Sequence, residues 1–329
     1  MRIFTAFLLL LSGFETLAQL AGEEPVLFDG LRSGAALPEK LLTTRSAVIY
    51  PYEMTAKELR AVQQSFQQTG IDAIAYFDID LVLAGKDVTR ALTFYFNKRN
   101  VVNLIFFRKT VEGYSVLVTG FNAKETLVEE SQPAWQADDP KLEELLKKVH
   151  RLAANNLLRE NFLINDHPEM DLQVNPIAGR RSDFFAIDLK VDQLAVPKSG
   201  VEAIDSRLAE LFSAYPFKYK LTEPGLSERE LHEQGFLYVL CFIHTRGTIA
   251  RELLGYDVSK PESAFVSVTF PGDQAQFRNI PAEIKVYKFY VKHIGSGNVF
   301  LGTKWDADTS WDQALKNHLM AFKSELKVN

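Results

Sequence analysis

The sequence predicts a mixed α/β fold arranged as two similar domains, each a mixed β-sheet covered by about three helices. Three observations lead there. Short apolar runs of strand length alternate with amphipathic helical stretches, strands outnumber helices late in each half, and the order of elements in the first half recurs in the second. A chain of 329 residues also exceeds the size at which one hydrophobic core stops growing, about 250–300 residues. With 47% apolar and 24% charged residues, the composition is that of a chain able to bury a sizeable core.

Met1-Arg2, the apolar run Ile3 to Leu11 and the small-residue end Thr16-Leu17-Ala18 predict a signal peptide over residues 1–18, with the mature chain starting near Gln19. An anchor helix is the competing reading, and the run is too short for it, since spanning takes about 20 apolar residues. No later segment is long and apolar enough to span a bilayer. Residues 19–44, with several Gly and Pro and no clear period, are expected to form an irregular leader.

The first domain is expected over residues 45–160. Ala47 to Tyr50 is a short apolar strand stopped by Pro51; Thr55 and Glu58 form a capping box, Met54 and Leu59 staple it, and Leu59, Val62 and Phe66 share one helical face before Gly70. Ile71 to Phe77 follows as a strand. Asp87 is the expected N-cap of a helix carrying Val88, Leu92 and Phe96, and Val101 to Phe107 is a buried strand. Tyr114 to Val118 and Thr126 to Glu129 are expected strands, and Pro140 opens a helix with the stripe Leu142, Leu145, Leu146, Val149 and Leu152.

Residues 161–182 form an expected linker, and residues 183–329 the second domain with an insertion. Phe184 to Val191 is its expected first strand, Ser199 with Glu202 a capping box before Ile204, Leu208 and Leu211, and Phe217 to Leu221 a strand. Ser227 and Glu230 cap a short helix stapled by Leu226 and Leu231 and ended by Gly235, before the strand Phe236 to Phe242. Strands are expected at Phe265 to Phe270, Ile284 to His293 and Asn298 to Leu301. A last helix with Trp311, Leu315, Leu319 and Phe322 carries Ser310 and Gln313 as its capping box.

Arg45-Ser46 matches Arg181-Ser182, and Trp135-Gln136-Ala137-Asp138 matches Trp305-Asp306-Ala307-Asp308 before the last helix of each half. Tandem duplication accounts for both, with an insertion at Thr245 to Ser263 and the loop Pro271 to Pro281; chance coincidence of two common α/β segments is the alternative. The order of elements is similar to that of small α/β modules of bacterial envelope assembly proteins, a likeness of pattern that carries no residue with it.

A net charge of −5 and a pI near 5.8 provide no basic footprint for nucleic acid. The lone Cys241, inside an apolar run, has no partner for an internal disulfide. Asp78 and Asp80, at the end of a strand, are candidates for a cation or for acid-base work, against the plainer role of capping a turn. His244, Thr245, Arg246 and Thr248, around Gly247, leave a strand where the two halves diverge and have the donors to cradle an anion. Asp306, Asp308, Ser310 and Asp312 begin like a calcium loop, but its sixth position is Trp311 and its twelfth Asn317, so capping is the better reading. Asp166-His167-Pro168-Glu169 with Asp171 holds one His and is no metal signature.

No H-E-x-x-H, G-x-S-x-G or G-x-x-x-x-G-K-[ST] occurs. The sequence is therefore expected to encode an exported, periplasmic or secreted, non-enzymatic binding or assembly module of the cell envelope, taking an envelope protein or a small ligand. The alternative is a secreted hydrolase or ligand-processing enzyme using the carboxylates or the His244–Thr248 turn. No cofactor and no metal is expected.

Overall fold

The computed structural model describes residues 30–165, 167–170, 174–272 and 274–326. The expected signal peptide and the first part of the leader lie outside the described residues, as do Asp166 and Asp171. The described chain is mixed α/β and falls into two compact units, one up to Val174 and one from Asn175.

The first unit runs β1 (Arg45–Tyr50), α1 (Ala56–Thr69), β2 (Asp72–Asp78), α2 (Ile79–Val82), α3 (Lys86–Lys98), β3 (Val101–Thr110), β4 (Gly113–Gly120), β5 (Trp135–Asp139) and α4 (Leu142–Asn156). Its five-stranded sheet has the order β2-β1-β3-β4-β5, parallel across β2, β1 and β3 and antiparallel thereafter. Parallel neighbours need a long crossover, which α1 and α3 provide, whereas the turn between Thr110 and Gly113 makes β3 and β4 a hairpin. β1 is central, so Ala47, Val48 and Ile49 are all buried and the strand reads as an unbroken apolar run. Gly113 is demanded by space: with φ +142°, a Cβ there would meet the Asp139 carbonyl oxygen at 2.5 Å.

The capping box of α1 forms as the sequence predicts, and Gly70 ends the helix in the left-handed region with its N–H on the Phe66 carbonyl. Glu58 does more than cap. It accepts hydrogen bonds from the Thr55 N–H, from Lys109 Nζ at 2.8 Å and from the Tyr114 hydroxyl, tying the start of α1 to β3 and β4. Burial would raise its carboxyl, but these donors outweigh it and hold the pKa down to about 2, from an ordinary 4.5. A depressed acid stabilises the fold fully above its unfolded pKa and loses that contribution as pH falls through the folded one. Glu58→Gln is expected to remove part of the acid sensitivity between about pH 4.5 and 2, read as a flatter stability-against-pH curve in urea titrations; an unchanged acid limb contradicts the assignment.

Residues 30–44 have no regular helix or strand, yet are integral to the packing. Leu37, Leu41 and Leu42 are buried in the first core, and Arg32 exchanges backbone hydrogen bonds with Gln132 and Ala134 beside β5. Thr126 to Glu129 is a turn, not a strand: Leu127 has φ +65°, and the Asn122 side chain bonds both the Lys124 N–H and the Thr126 hydroxyl. The N-cap of α3 is Gly85; Asp87 sits in the first turn, 3.4 Å from Arg90.

The second unit runs β6 (Arg181–Ser182), a 3-10 turn Ile187–Lys190, β7 (Leu194–Pro197), α5 (Glu202–Phe212), β8 (Tyr219–Thr222), α6 (Glu228–Glu233), β9 (Tyr238–Arg246), α7 (Gly247–Leu253), β10 (Ala264–Thr269), β11 (Gln276–Pro281), β12 (Lys285–His293), β13 (Val299–Phe300) and α8 (Trp311–Glu325). Its six-stranded sheet has the order β6-β13-β12-β9-β7-β8, and β10 with β11 forms a separate two-stranded sheet. Read from the other edge, β8-β7-β9-β12 repeats β2-β1-β3-β4 with the same parallel and antiparallel pairings, and the place of β5 is shared by β13 and the segment that bridges to β12 at Asp308.

That equivalence corrects the sequence alignment in two places. The counterpart of β1 is β7, not Phe184 to Val191, which holds a 3-10 turn because Phe185, Ala186 and Leu189 bury one face of a single turn. Arg181-Ser182 is an edge strand on β13 and no partner of Arg45-Ser46. The counterpart of β4 is β12, so the stretch without an equivalent in the first unit is continuous, from α7 through β11, and includes the strand at Phe265. Trp305 to Asp308 does match Trp135 to Asp138 in place: Asp308 and Tyr287 exchange backbone hydrogen bonds beside β12, as Asp138 pairs with Ser115 of β4.

Two further caps differ. Ser199 bonds the Asp205 carboxylate through both its N–H and its hydroxyl, so Val201 becomes the N-cap of α5. Ser310 is the N-cap of α8 without a side-chain cap bond. The box at Ser227 and Glu230 is present, and Leu226 and Leu231 share a small cluster with Phe236 and Val239, against which the half-buried Cys241 packs.

Candidate functional site

The side chains singled out by the sequence are engaged in local structure. In the first unit Asp78 is the N-cap of α2, accepting from the Asp80 N–H at 2.8 Å, and Asp80 lies in the first turn, where a carboxylate favours the helix dipole. In the second unit the His244 ring lies flat on Tyr287, centroids 3.9 Å apart, and Thr245 is buried. Arg246 and Thr248 do hold an anionic group, and it belongs to the chain: Glu283 receives Arg246 Nη1 at 2.5 Å on one oxygen and the Thr248 hydroxyl at 3.0 Å on the other. The carboxylate that the Arg and Thr donors suggest is thus provided from the turn between β11 and β12.

Sequence reasoning missed a cluster built around Asp306. Lys288 projects from β12, His318 from α8, and Asp306 from the segment beside β12; all three are at most 1% exposed. One Asp306 oxygen lies 2.6 Å from Lys288 Nζ and the other 2.9 Å from His318 Nδ1. Lys288 Nζ also donates to the carbonyls of Phe289 at 3.0 Å and Leu301 at 2.8 Å, so two of its protons have carbonyl acceptors while Asp306 balances its charge as an ion pair.

The electrostatics follow from the sealing. Burial alone would raise the Asp306 carboxyl, yet Lys288 and His318 hold it below the usual range and it is ionised. Burial pushes His318 down, so the ring is neutral, with Nδ1–H donating to Asp306 and a bare Nε2. Nε2 has no hydrogen-bond partner among the described residues, and the ring packs among Phe185 at 5.1 Å and Phe322 at 5.7 Å. An imidazole oriented by a carboxylate is the arrangement of a general base, but this one addresses aromatic rings, with no exposed surface for a substrate.

The neighbouring residues lock the same corner. Asp308 receives Arg278 Nη1 at 2.8 Å, and Asn317 of α8 receives the Phe270 N–H at 2.8 Å and Gln313 Nε2 at 2.7 Å. The inserted hairpin, the Trp305 to Asp308 segment and α8 are thereby joined through side chains. By strand equivalence the first unit has Gln136 and Val116 at the places of Asp306 and Lys288, so this cluster belongs to the second unit alone. The visible signal was a charged residue set in apolar surroundings, Lys288 within Val286 to Val291 and His318 beside Leu319, with the Asp already noted in Trp-x-Ala-Asp.

Among the described residues no three His, Cys, Asp or Glu side chains are grouped to hold a metal ion, and no helix is long and apolar enough to cross a membrane. His167 donates its N–H to the Asn165 side chain, and Glu169 pairs with Arg99 and accepts from Tyr95. No protein-family profile matches the sequence, and no curated protein matches it.

Proposed function

We propose that the chain is an exported, non-enzymatic binding or assembly module of the cell envelope, built from two units that descend from one by tandem duplication. The observation that carries this reading is the division of labour among side chains. The groups with chemical potential hold the fold, whereas large apolar side chains stand in solvent. Phe184, Ile187 and Val191 are the clearest case, three exposed residues on one short segment of the second unit, of the kind that marks a protein-binding patch. The shared strand order supports duplication, and residues 1–18 support export.

The test is cross-linking in living cells followed by purification from the envelope fraction. The wild type is expected to begin near Gln19 and to recover a reproducible protein partner, and Phe184→Asp with Ile187→Asp to lose it while keeping the wild-type circular dichroism. A cytoplasmic, uncleaved chain, or an undiminished partner in the folded variant, contradicts the reading.

A further inference from the structure

We infer that the first unit docks on a phospholipid surface, taking a headgroup phosphate in the cavity between Arg45, Arg99 and the 158–165 segment. The cavity measures about 290 Å³ and is lined by Arg45, Asp72, Ile74, Arg99, Leu163 and Asn165, with Ile164. That is near the lower bound for small-molecule sites, about 300 Å³, and suits a headgroup but not a whole lipid.

The donors are in place. Arg45 gives Nη1 to the Arg99 carbonyl and stands 3.8 Å from Asp72, and Arg99 pairs with Glu169. Each guanidinium has five N–H groups, so both retain donors that no described residue takes, in the fork geometry that suits a phosphate. Asp72, the acidic lining residue, is turned to the Asn165 N–H at 3.1 Å. Asp72 and Glu169 offset Arg45 and Arg99, so recognition rests on the placed donors and not on a net positive patch.

The second observation is apolar. Leu158, Phe162 and Leu163 are 69%, 80% and 94% exposed within six residues, and Leu163 is itself a wall of the cavity. The segment cannot fold these side chains inward, because its backbone is pinned: Glu160 and Asn161 donate to the Leu42 carbonyl, Asn161 Nδ2 to the Thr44 and Gly70 carbonyls, and Gln63 holds the Asn165 carbonyl. Exposed single hydrophobes are ordinary, but Phe and Leu held rigidly beside arginine donors have the composition of an interfacial contact, apolar below the headgroups and cationic at them. This goes beyond the proposed protein binding and does not depend on it.

The mature chain is tested by co-sedimentation with vesicles of phosphatidylglycerol and phosphatidylcholine, with inorganic phosphate as competitor. Wild type is expected to sediment with the vesicles; Phe162→Ser with Leu163→Ser, and separately Arg45→Gln, are expected to weaken binding by about tenfold or more, the scale of a few methylenes or one charge-assisted contact. Both variants keep the wild-type thermal unfolding. Failure of the wild type to sediment overturns the proposal. So does undiminished sedimentation of either variant, because docking needs both the cavity donors and the apolar side chains.

Discussion

Asp306→Ala lowers the unfolding free energy by about 3–5 kcal/mol, because Lys288, fully buried and without its counter-ion, must give up its proton to stay inside the fold. Lys288 keeps two carbonyl acceptors but no negative charge, and His318 Nδ1 loses its partner, so both nitrogens of a fully buried ring become unsatisfied. Lys288 already lies below the ordinary lysine range through burial, and without Asp306 it is expected to be neutral in the folded state near neutral pH. The stability of Asp306→Ala therefore rises with pH, since its unfolded state binds the proton that the folded state has released. Urea denaturation followed by Trp305 and Trp311 fluorescence, in a Trp135→Phe background, reads the effect. A change below about 1 kcal/mol, the worth of an exposed pair, would mean that Asp306 is not the keystone of this corner.

Phe66→Ala and Phe322→Ala each remove about 3–5 kcal/mol, from different cores. Phe66 is fully buried and packs with Phe107 at 6.2 Å between α1 and the first sheet. Phe322 stacks on Phe185 at 3.7 Å and meets Tyr215 edge-on at 5.5 Å, under α8. The two clusters share no residue. Phe66→Ala is expected to weaken the transition reported by Trp135, and Phe322→Ala the one reported by Trp305 and Trp311. Equal shifts of both signals in both variants would mean that the cores unfold as one.

The fold was legible wherever one local signal acted alone. The capping box at Thr55 and Glu58, the αL stop at Gly70 and the stripes of α1 and α4 were all readable because they concern residues three or four apart. Errors arose where a second residue competed. Asp205 outbid Glu202 for Ser199, Asn122 folded Thr126 to Glu129 into a turn, and a one-turn apolar face at Phe185 to Leu189 passed for a strand. The partners of the candidate residues were hidden for a related reason. Glu283, which answers Arg246 and Thr248, lies beyond the inserted hairpin, and Asp306, Lys288 and His318 meet only through sheet pairing and helix docking that no short window contains.

On the proposed reading these polar groups serve the fold, and function resides in exposed surfaces. Its most direct test replaces the whole cluster with apolar residues, Lys288→Met, Asp306→Leu and His318→Leu together, in the full-length chain. Replacing a buried ionic group by well-packed apolar side chains is often neutral or stabilising, so this variant is expected to fold and, after cross-linking, to recover the same envelope partner as wild type. A folded triple variant that keeps its exposed surfaces yet loses that partner would place the function in Asp306 and His318 and contradict this reading.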